Sequence, residues 1–286
     1  MLTLLFDGIA YGMLLFVLAV GLAVTLGLMN FINLAHGAFA MAGGYVTVLA
    51  MNKLGVPFIA TLPLAFAFTA IAGAVLERTL YRPMYAKPHL DQVLFSIGLV
   101  FMAVTAVDYF IGSQQQMVSV PAWLQGRFDL SWVGIGKYRL FIIVVCALLT
   151  LLLQWVLAKT RFGSRLRAAV DDPRVASGLG IDVNRVFLLT FAVGSGLAGL
   201  GGALGAEVLG LDPTFPLKFM IYFLIVVSVG GTTTITGPLL AALLLGIADV
   251  FGKYYVPKLG AFIVYTLMIV ILTLRPQGLF GRGATR

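Results

Sequence analysis

Three polar residues stand in a strongly apolar part of the sequence, where their side chains could bind a small polar solute. Asn30, Asn33 and His36 precede Gly37 and an apolar run. An unpaired polar group is costly in lipid, so these side chains must face protein or a water-filled cavity. One interpretation is a helix N-terminus that points at a permeation path, where its free N–H groups meet a carboxylate. The other is that Asn and His bond across helices while the glycine allows close packing.

A second polar segment, Gly230-Gly231-Thr232-Thr233-Thr234-Ile235-Thr236-Gly237-Pro238, interrupts the apolar sequence of the last third. Pro238 has no N–H and disfavours helix at the residue before it, so we expect a break there. Paired, glycine-interrupted segments in the two halves of a membrane protein point to a substrate path near the midplane. The residues predicted to line that path are Asn30, Asn33, His36, Gly37, Gly230, Gly231, Thr232, Thr234 and Gly237.

The basic loop 159–185 is predicted to contain a helix of about two turns. Asp172 suits the N-cap, Pro173 the first helical position and Gly180 the residue after the helix. Small residues within this helix would let another surface approach its backbone. Two interpretations stay open from the residues alone: a topology-setting loop with a capped turn, and a docking helix for a cytoplasmic partner. The residues of the docking interpretation are Arg165, Arg167, Ala168, Asp171, Asp172, Ala176, Ser177, Gly178 and Gly180.

The acidic residues do not form a catalytic set. Glu77 is expected to pair with Arg78, and Asp249 is expected to pair with Lys253 at i, i+4. Asp212 is expected to lie in water or at the entrance on the external side. No Ser/His/Asp or Cys/His combination can be assembled, and the two histidines are too far apart in topology to share a metal. The Walker motif GxxxxGK[ST] is absent. We therefore predict that the chain is not an enzyme and itself binds no cofactor, metal or nucleotide.

The composition places most of the chain in lipid. Of 286 residues, 60% are hydrophobic and only 10% are charged, which is too little charge to cover a soluble protein of this length. Apolar runs near 8–28, 34–51, 57–76, 92–111, 140–158, 186–206, 217–236, 238–252 and 260–274 predict eight or nine transmembrane helices. The predicted fold is an all-α, polytopic membrane protein with Gly/Pro-broken segments, in which residues 1–286 form one domain.

The net charge of +8 comes from basic residues in three short loops, at 77–91, at 159–185 and after residue 274. The positive-inside rule assigns these loops to the cytoplasm and, with anionic headgroups, explains the charge better than nucleic acid does. The N-terminus is then external if nine segments cross and internal if eight do.

Five stretches, in this order, resemble the permease subunits of ABC importers for branched-chain amino acids, the LivH type. They are residues 27–37 with Gly44-Tyr45, residues 77–83, residues 165–181, Gly230-Gly231 with Gly237-Pro238, and residues 275–281. The resemblance covers nearly the whole chain. It implies a multi-pass bacterial inner-membrane protein that works with two ATP-binding cassette subunits, a second related permease and a periplasmic substrate-binding protein. The helix in 159–185 would then be the coupling helix, and ATP would be used by the partner subunits.

The resemblance leaves the transported molecule open. Thr232-Thr233-Thr234 and Lys218-Phe219-Met220 depart from the usual motifs of that family, so urea, an amide, an aromatic acid or a sugar are alternatives to branched-chain amino acids. A different class is a secondary transporter or channel, which would need acids at midplane depth for ion coupling.

Overall fold

A computed structural model describes residues 1–29, 31–130, 133–231 and 234–279. Each of the nine predicted apolar runs forms a helix in this part of the chain. These helices are α1 Leu2–Met29, α2 His36–Leu54, α3 Phe58–Leu76, α4 His89–Ile111, α5 Lys137–Lys159, α8 Val183–Leu209, α9 Phe215–Gly230, α10 Thr236–Tyr255 and α11 Gly260–Leu274. Two smaller helices, α6 Arg161–Asp171 and α7 Pro173–Gly178, lie in the basic loop.

The helices differ in their capacity to cross a membrane. Among the described residues, six are long and apolar enough by length and composition, namely those in α1, α3, α4, α5, α8 and α10. The apolar helices Phe215–Gly230 and Phe262–Leu274 are shorter. Helix α2 has 19 residues, carries three glycines and is largely buried. The prediction of a polytopic helical membrane protein is confirmed.

Helices α1 and α8 form the interior of the bundle. In the apolar 18-residue stretch of α1, 83% of the residues are buried. The corresponding share in α4 is 11%, because α4 lies at the periphery. Helix α8 packs against α1, α2 and α3, and glycines bring the backbones close together. A Cβ added at Gly202 would lie 1.8 Å from the carbonyl oxygen of Ala40. Small residues at such crossings are typical of membrane helix packing.

The two ends of the bundle differ in charge. One end carries residues 77–88, 160–182 and 275–279, and we call it the basic end. Arg82 and Asp182 line the same cleft there. At the opposite end, Asp7 of α1 forms an ion pair with Arg139 of α5, and the Tyr255 hydroxyl donates to Met1 Sδ at 2.8 Å. The start of α1 therefore lies opposite the basic loops, as expected if all nine segments cross.

The connection between α4 and α5 contains a small β-hairpin that the sequence analysis did not anticipate. Strand β1, Arg127–Leu130, pairs antiparallel with β2, Val133–Gly136. The Gln116 N–H also donates to the Leu211 carbonyl at 2.7 Å, which ties this connection to the loop after α8. The hairpin lies at the opposite end and leaves the helical bundle unchanged.

Candidate coupling surface and substrate path

Helix α6 begins at a sharp reversal of the chain after α5. The Thr160 hydroxyl donates to the Val156 carbonyl at 2.6 Å, and its oxygen accepts from the Gly163 N–H at 3.4 Å. Gly163 packs directly on the end of α5, where a Cβ would lie 2.1 Å from the Leu157 carbonyl oxygen. Only glycine fits this position, because any side chain would overlap the end of α5. The close contact at Gly163 holds the start of α6 against the bundle.

Helix α6 is amphipathic and is held to the start of α8. Leu166 and Ala169 are buried with Val186 in a small apolar cluster at the basic end. Arg165 and Arg167 are both exposed, and Arg167 donates to the Leu157 carbonyl. The sequence analysis missed this helix. Apolar residues at 162, 166, 169 and 170 carry the i, i+4, i+7 spacing that would have indicated it.

Helix α7 confirms the predicted short capped helix. The Asp172 carboxylate accepts from the Arg174 and Val175 N–H groups at 2.9 and 3.1 Å. Pro173 occupies the first turn, the helix ends at Gly178, and Gly180 adopts φ +83° in the turn that follows. The cap satisfies two N–H groups that the helix itself leaves unpaired.

The two faces of α7 have different surroundings. Ala176 is 1% exposed, and its carbonyl accepts from the Ile181 N–H at 3.0 Å, so its side chain faces this protein rather than a docked partner. Ser177 and Gly178 are exposed, and nothing lies within 4 Å of a Cβ added at Gly178. The small-residue approach predicted for Ala176 is therefore wrong, because its side chain is already covered.

Exposed residues of α7 and its flank form a mixed apolar and polar patch at the basic end. Leu179 is 76% exposed and Val175 is 59% exposed. We call Asp171, Asp172, Val175, Ser177, Gly178, Leu179 and Gly180 the coupling surface; all seven are exposed. The other predicted coupling residues Arg165, Arg167 and Ala168 lie on the preceding helix, α6.

The polar residues at the start of α2 are bonded within the protein. Asn33 is buried and accepts from the Tyr81 hydroxyl at 3.1 Å. His36 is 2% exposed, and its Nε2 donates to the Leu18 carbonyl of α1 at 2.9 Å. These contacts favour the interpretation of bonding across helices, and a role in the substrate path stays a prediction. Asn30 lies outside the described residues.

Gly37 is a contact point between α2 and α9. A Cβ at this position would lie 3.0 Å from the Pro216 Cα and 3.2 Å from its carbonyl oxygen. The glycine therefore allows the two helices to approach closely, which is the packing role that the sequence left open.

A break between two helices is present in the second half, but it precedes Gly237, where it was predicted; Gly237 and Pro238 belong to the first turn of α10. Helix α9 ends at Gly230, Gly231 adopts φ +81°, and α10 begins at Thr236. The Thr234 hydroxyl oxygen accepts from the Gly237 N–H at 3.3 Å, which partly caps α10. A Cβ at Gly230 would lie 2.4 Å from the Pro238 nitrogen, so the chain folds back tightly on itself. Thr232 and Thr233 lie outside the described residues.

A cavity of about 450 Å³ at the basic end brings a predicted path residue together with a predicted coupling residue. Thr234 shares its lining with Arg167 of α6 and with Gln154 of α5. Neither Asn33 nor His36 lines it, and α2 and α10 share no extensive contact in the described part of the chain. Among the described residues, the second half of the predicted path therefore adjoins the coupling segment at this cavity.

A buried acid corrects one expectation. Glu77 is buried and accepts from the Tyr85 hydroxyl at 3.1 Å, rather than pairing with Arg78. Burial and the charge of Glu77 raise the pKa of Tyr85. Asp212 forms an ion pair with Lys218.

The predicted pairing of Asp249 is confirmed. Asp249 pairs with Lys253 at 2.6 Å, as predicted. No group of three His, Cys, Asp or Glu residues that could hold a metal occurs among the described residues.

This helical bundle, with six apolar helices long enough to cross a membrane, is that of a multi-pass membrane protein. Residues 4–272 match the family described as branched-chain amino acid transport system / permease component. The chain belongs to this family, which is one of transport permeases and not of enzymes.

Named relatives of the same length agree with this assignment. The chain is 29% identical to the high-affinity branched-chain amino acid transport system permease protein BraD of Pseudomonas aeruginosa, over 97% of this chain and 95% of the relative. It is 27% identical to LivH of Escherichia coli K12, over 97% and 94%. Similarity to LivM of the same organism is 26%, over 93% of this chain and 68% of that protein. No solved structure matches the chain.

Proposed function

We propose that residues 1–286 form one permease domain of an ATP-driven importer of branched-chain or related amino acids in the bacterial inner membrane. The chain would supply one half of the translocation path and a second, related permease the other half. Two ATP-binding cassette subunits would use ATP, and a periplasmic binding protein would deliver substrate. Support comes from family membership, from relatives named as amino-acid permeases and from similarity to both LivH and LivM.

The observation that carries the coupling proposal is the exposed, capped helix α7 at the basic end. Its flanks lead directly into the bundle. Asp182 caps α8 by accepting from the Arg185 N–H at 3.0 Å, and α6 is anchored on α5 and α8. A partner that pushes on α7 would therefore move α8. Because α8 packs on α1, α2 and α3, that movement would reach the whole interior.

Gly178→Trp tests whether the coupling surface docks on an ATP-binding subunit. The side chain would project into open space, so the fold should be retained while docking is blocked. Gly98→Trp on α4 is the matched control, because a Cβ there also meets nothing within 4 Å. We expect the first variant to lose co-purification with ATP-binding subunits and ATP-driven uptake, and the control to keep both.

Normal co-purification and uptake in Gly178→Trp would refute docking at this surface. Mass spectrometry of the native, mildly solubilised assembly tests the wider proposal. Recovery with ATP-binding subunits and a second permease is expected. A stable homo-oligomer that exchanges solute without ATP would favour a secondary transporter or channel instead.

A further inference from the structure

A cavity of about 400 Å³ opens at the end of the bundle opposite the basic loops. It lies between α1, α5, α8, α9 and α10, and none of the residues predicted for the substrate path lines it. Asp7, Tyr11, Arg139, Lys218, Phe219 and Asp249 are among its lining residues. The volume falls within the range of about 300 to 1,000 Å³ that is typical of small-molecule sites. We call it the entry cavity.

Charges of both signs line the entry cavity. Arg139 and Lys218 are partly exposed cations, paired with Asp7 and Asp212 respectively. An Arg side chain has five N–H donors and a Lys side chain three, so each cation keeps donors beyond those in its ion pair. The cavity can therefore offer hydrogen bonds to a carboxylate without breaking either pair.

Asp249 supplies an acceptor on the same cavity. It is 2% exposed and lies six residues before the end of α10, about 9 Å along the helix axis. Its Oδ2 accepts from Lys253 at 2.6 Å, but its Oδ1 is buried and accepts from no described residue. A buried carboxylate oxygen without a donor is costly, and an ionisable residue at this depth in a membrane helix is a typical functional group.

The remaining wall is apolar. Leu14, Ile142, Phe219 and Tyr222 come from three different helices and enclose space beside the charged groups. Such a surface suits an aliphatic side chain, whereas a sugar or urea would leave it without a matching group.

We propose that the entry cavity binds the zwitterion of an α-amino acid with an aliphatic side chain. The ligand ammonium group donates to Asp249 Oδ1, and the ligand carboxylate accepts from Lys218 and Arg139. The aliphatic side chain packs on Phe219 and Tyr222. This inference rests on the proposed function and adds to it a residue-level site, which the sequence analysis did not place here.

Direct binding of L-leucine to the full chain in lipid nanodiscs tests the site. Saturation-transfer difference NMR detects weak binding and gives a Kd by titration. We expect saturable binding, weakened by about tenfold or more in Asp249→Asn, because a charged hydrogen bond is lost. Asp108→Asn is the matched control, since Asp108 is an exposed acid of α4 and does not line the cavity. No saturable leucine signal from the wild type, or equal Kd values for wild type and Asp249→Asn, would overturn the proposal.

A ligand series separates binding from loss of structure. Asp108→Asn, which removes an exposed carboxylate outside the cavity, is again the control. We expect the wild type and Asp108→Asn to prefer leucine over 4-methylpentanoate, which is the same molecule without the ammonium group. Asp249→Asn should lose that preference. An unchanged preference in Asp249→Asn would assign the residue to packing alone.

The site and the proposed function can fail separately. ATP-driven leucine uptake by the assembled importer reports on the function, whereas leucine binding to the chain reports on the site. Uptake by the wild type with unaltered binding in Asp249→Asn removes the site and keeps the function. Asp249-dependent binding without ATP-driven uptake keeps the site and removes the function.

Discussion

Removal of the α7 N-cap is a direct perturbation of the coupling surface. In Asp172→Ala the Arg174 and Val175 N–H groups lose the carboxylate that accepts from them at 2.9 and 3.1 Å. The rest of the molecule keeps its contacts, because the Asp172 side chain is exposed. The expected effect is therefore local to the helix and the turn after it.

The magnitude follows from the length of the helix. Loss of a side-chain N-cap costs about 1 to 2 kcal/mol, and α7 has only six residues. Helices shorter than about 12 residues are marginal without such support. A change of 1 to 2 kcal/mol alters the ratio of ordered to frayed helix by about 5- to 30-fold.

Hydrogen–deuterium exchange of the full chain in nanodiscs measures this ratio. Amides of residues 176–181 should exchange about 5- to 30-fold faster in Asp172→Ala, since opening of α7 exposes them. Asp172→Asn should restore protection because Asn is also a good N-cap. Asp171→Ala is the control for exchange, as Asp171 ends α6 and is exposed. Equal exchange in wild type and Asp172→Ala would refute the cap argument, and loss of protection throughout α8 would refute its local character.

Three further perturbations test the packing and the charges. Gly202→Leu should prevent folding, because a Cβ would already lie 1.8 Å from the Ala40 carbonyl oxygen; fluorescence-detected gel filtration of membrane extracts measures this. His36→Ala should lower the free energy of unfolding by about 1 to 3 kcal/mol, because the Leu18 carbonyl loses its donor. Burial raises the pKa of Asp212, but hydrogen bonds from its neighbours outweigh it and hold that pKa below its usual value. The ionised Asp212 carboxylate therefore stabilises the fold at pH values above its pKa in the unfolded state, and this stabilisation is lost as the pH falls through its pKa in the folded state. Asp212→Asn should flatten the acid side of a Tm–pH profile.

Each of these perturbations has a clear contrary result. A monodisperse Gly202→Leu protein would show that α8 and α2 can separate without cost. Unchanged stability with altered transport in His36→Ala would assign the histidine to the substrate path rather than to packing. An unaltered acid profile in Asp212→Asn would show that the ion pair with Lys218 contributes nothing to stability.

Local features were readable from the sequence. The membrane class follows from composition, because 10% charge cannot cover a soluble surface. The cap of α7 was predicted because Asp172 and Pro173 act on their own neighbours along the chain. The proline likewise indicated a break near residue 237, although the helix begins one residue earlier than that. The Asp249–Lys253 pair was predicted for the same reason, since four residues along a helix are adjacent in space. In each case the interacting groups are within one or two turns of each other.

Features that join distant segments were decided only by the tertiary structure. Asn33 meets Tyr81, His36 meets Leu18, and neither partner is marked by spacing. The burial of Ala176 also depends on how α7 packs against the bundle.

The entry cavity combines groups from α1, α5, α8, α9 and α10. Its lining residues are up to 246 positions apart, from Asp7 to Lys253. Helical periodicity tells which residues share a face but not which faces meet, because helix packing depends on side-chain shapes along both partners. The sequence thus determined the nine long apolar helices and the local cap of α7. Only the packing of the helices determined which polar groups are satisfied and where a cavity remains.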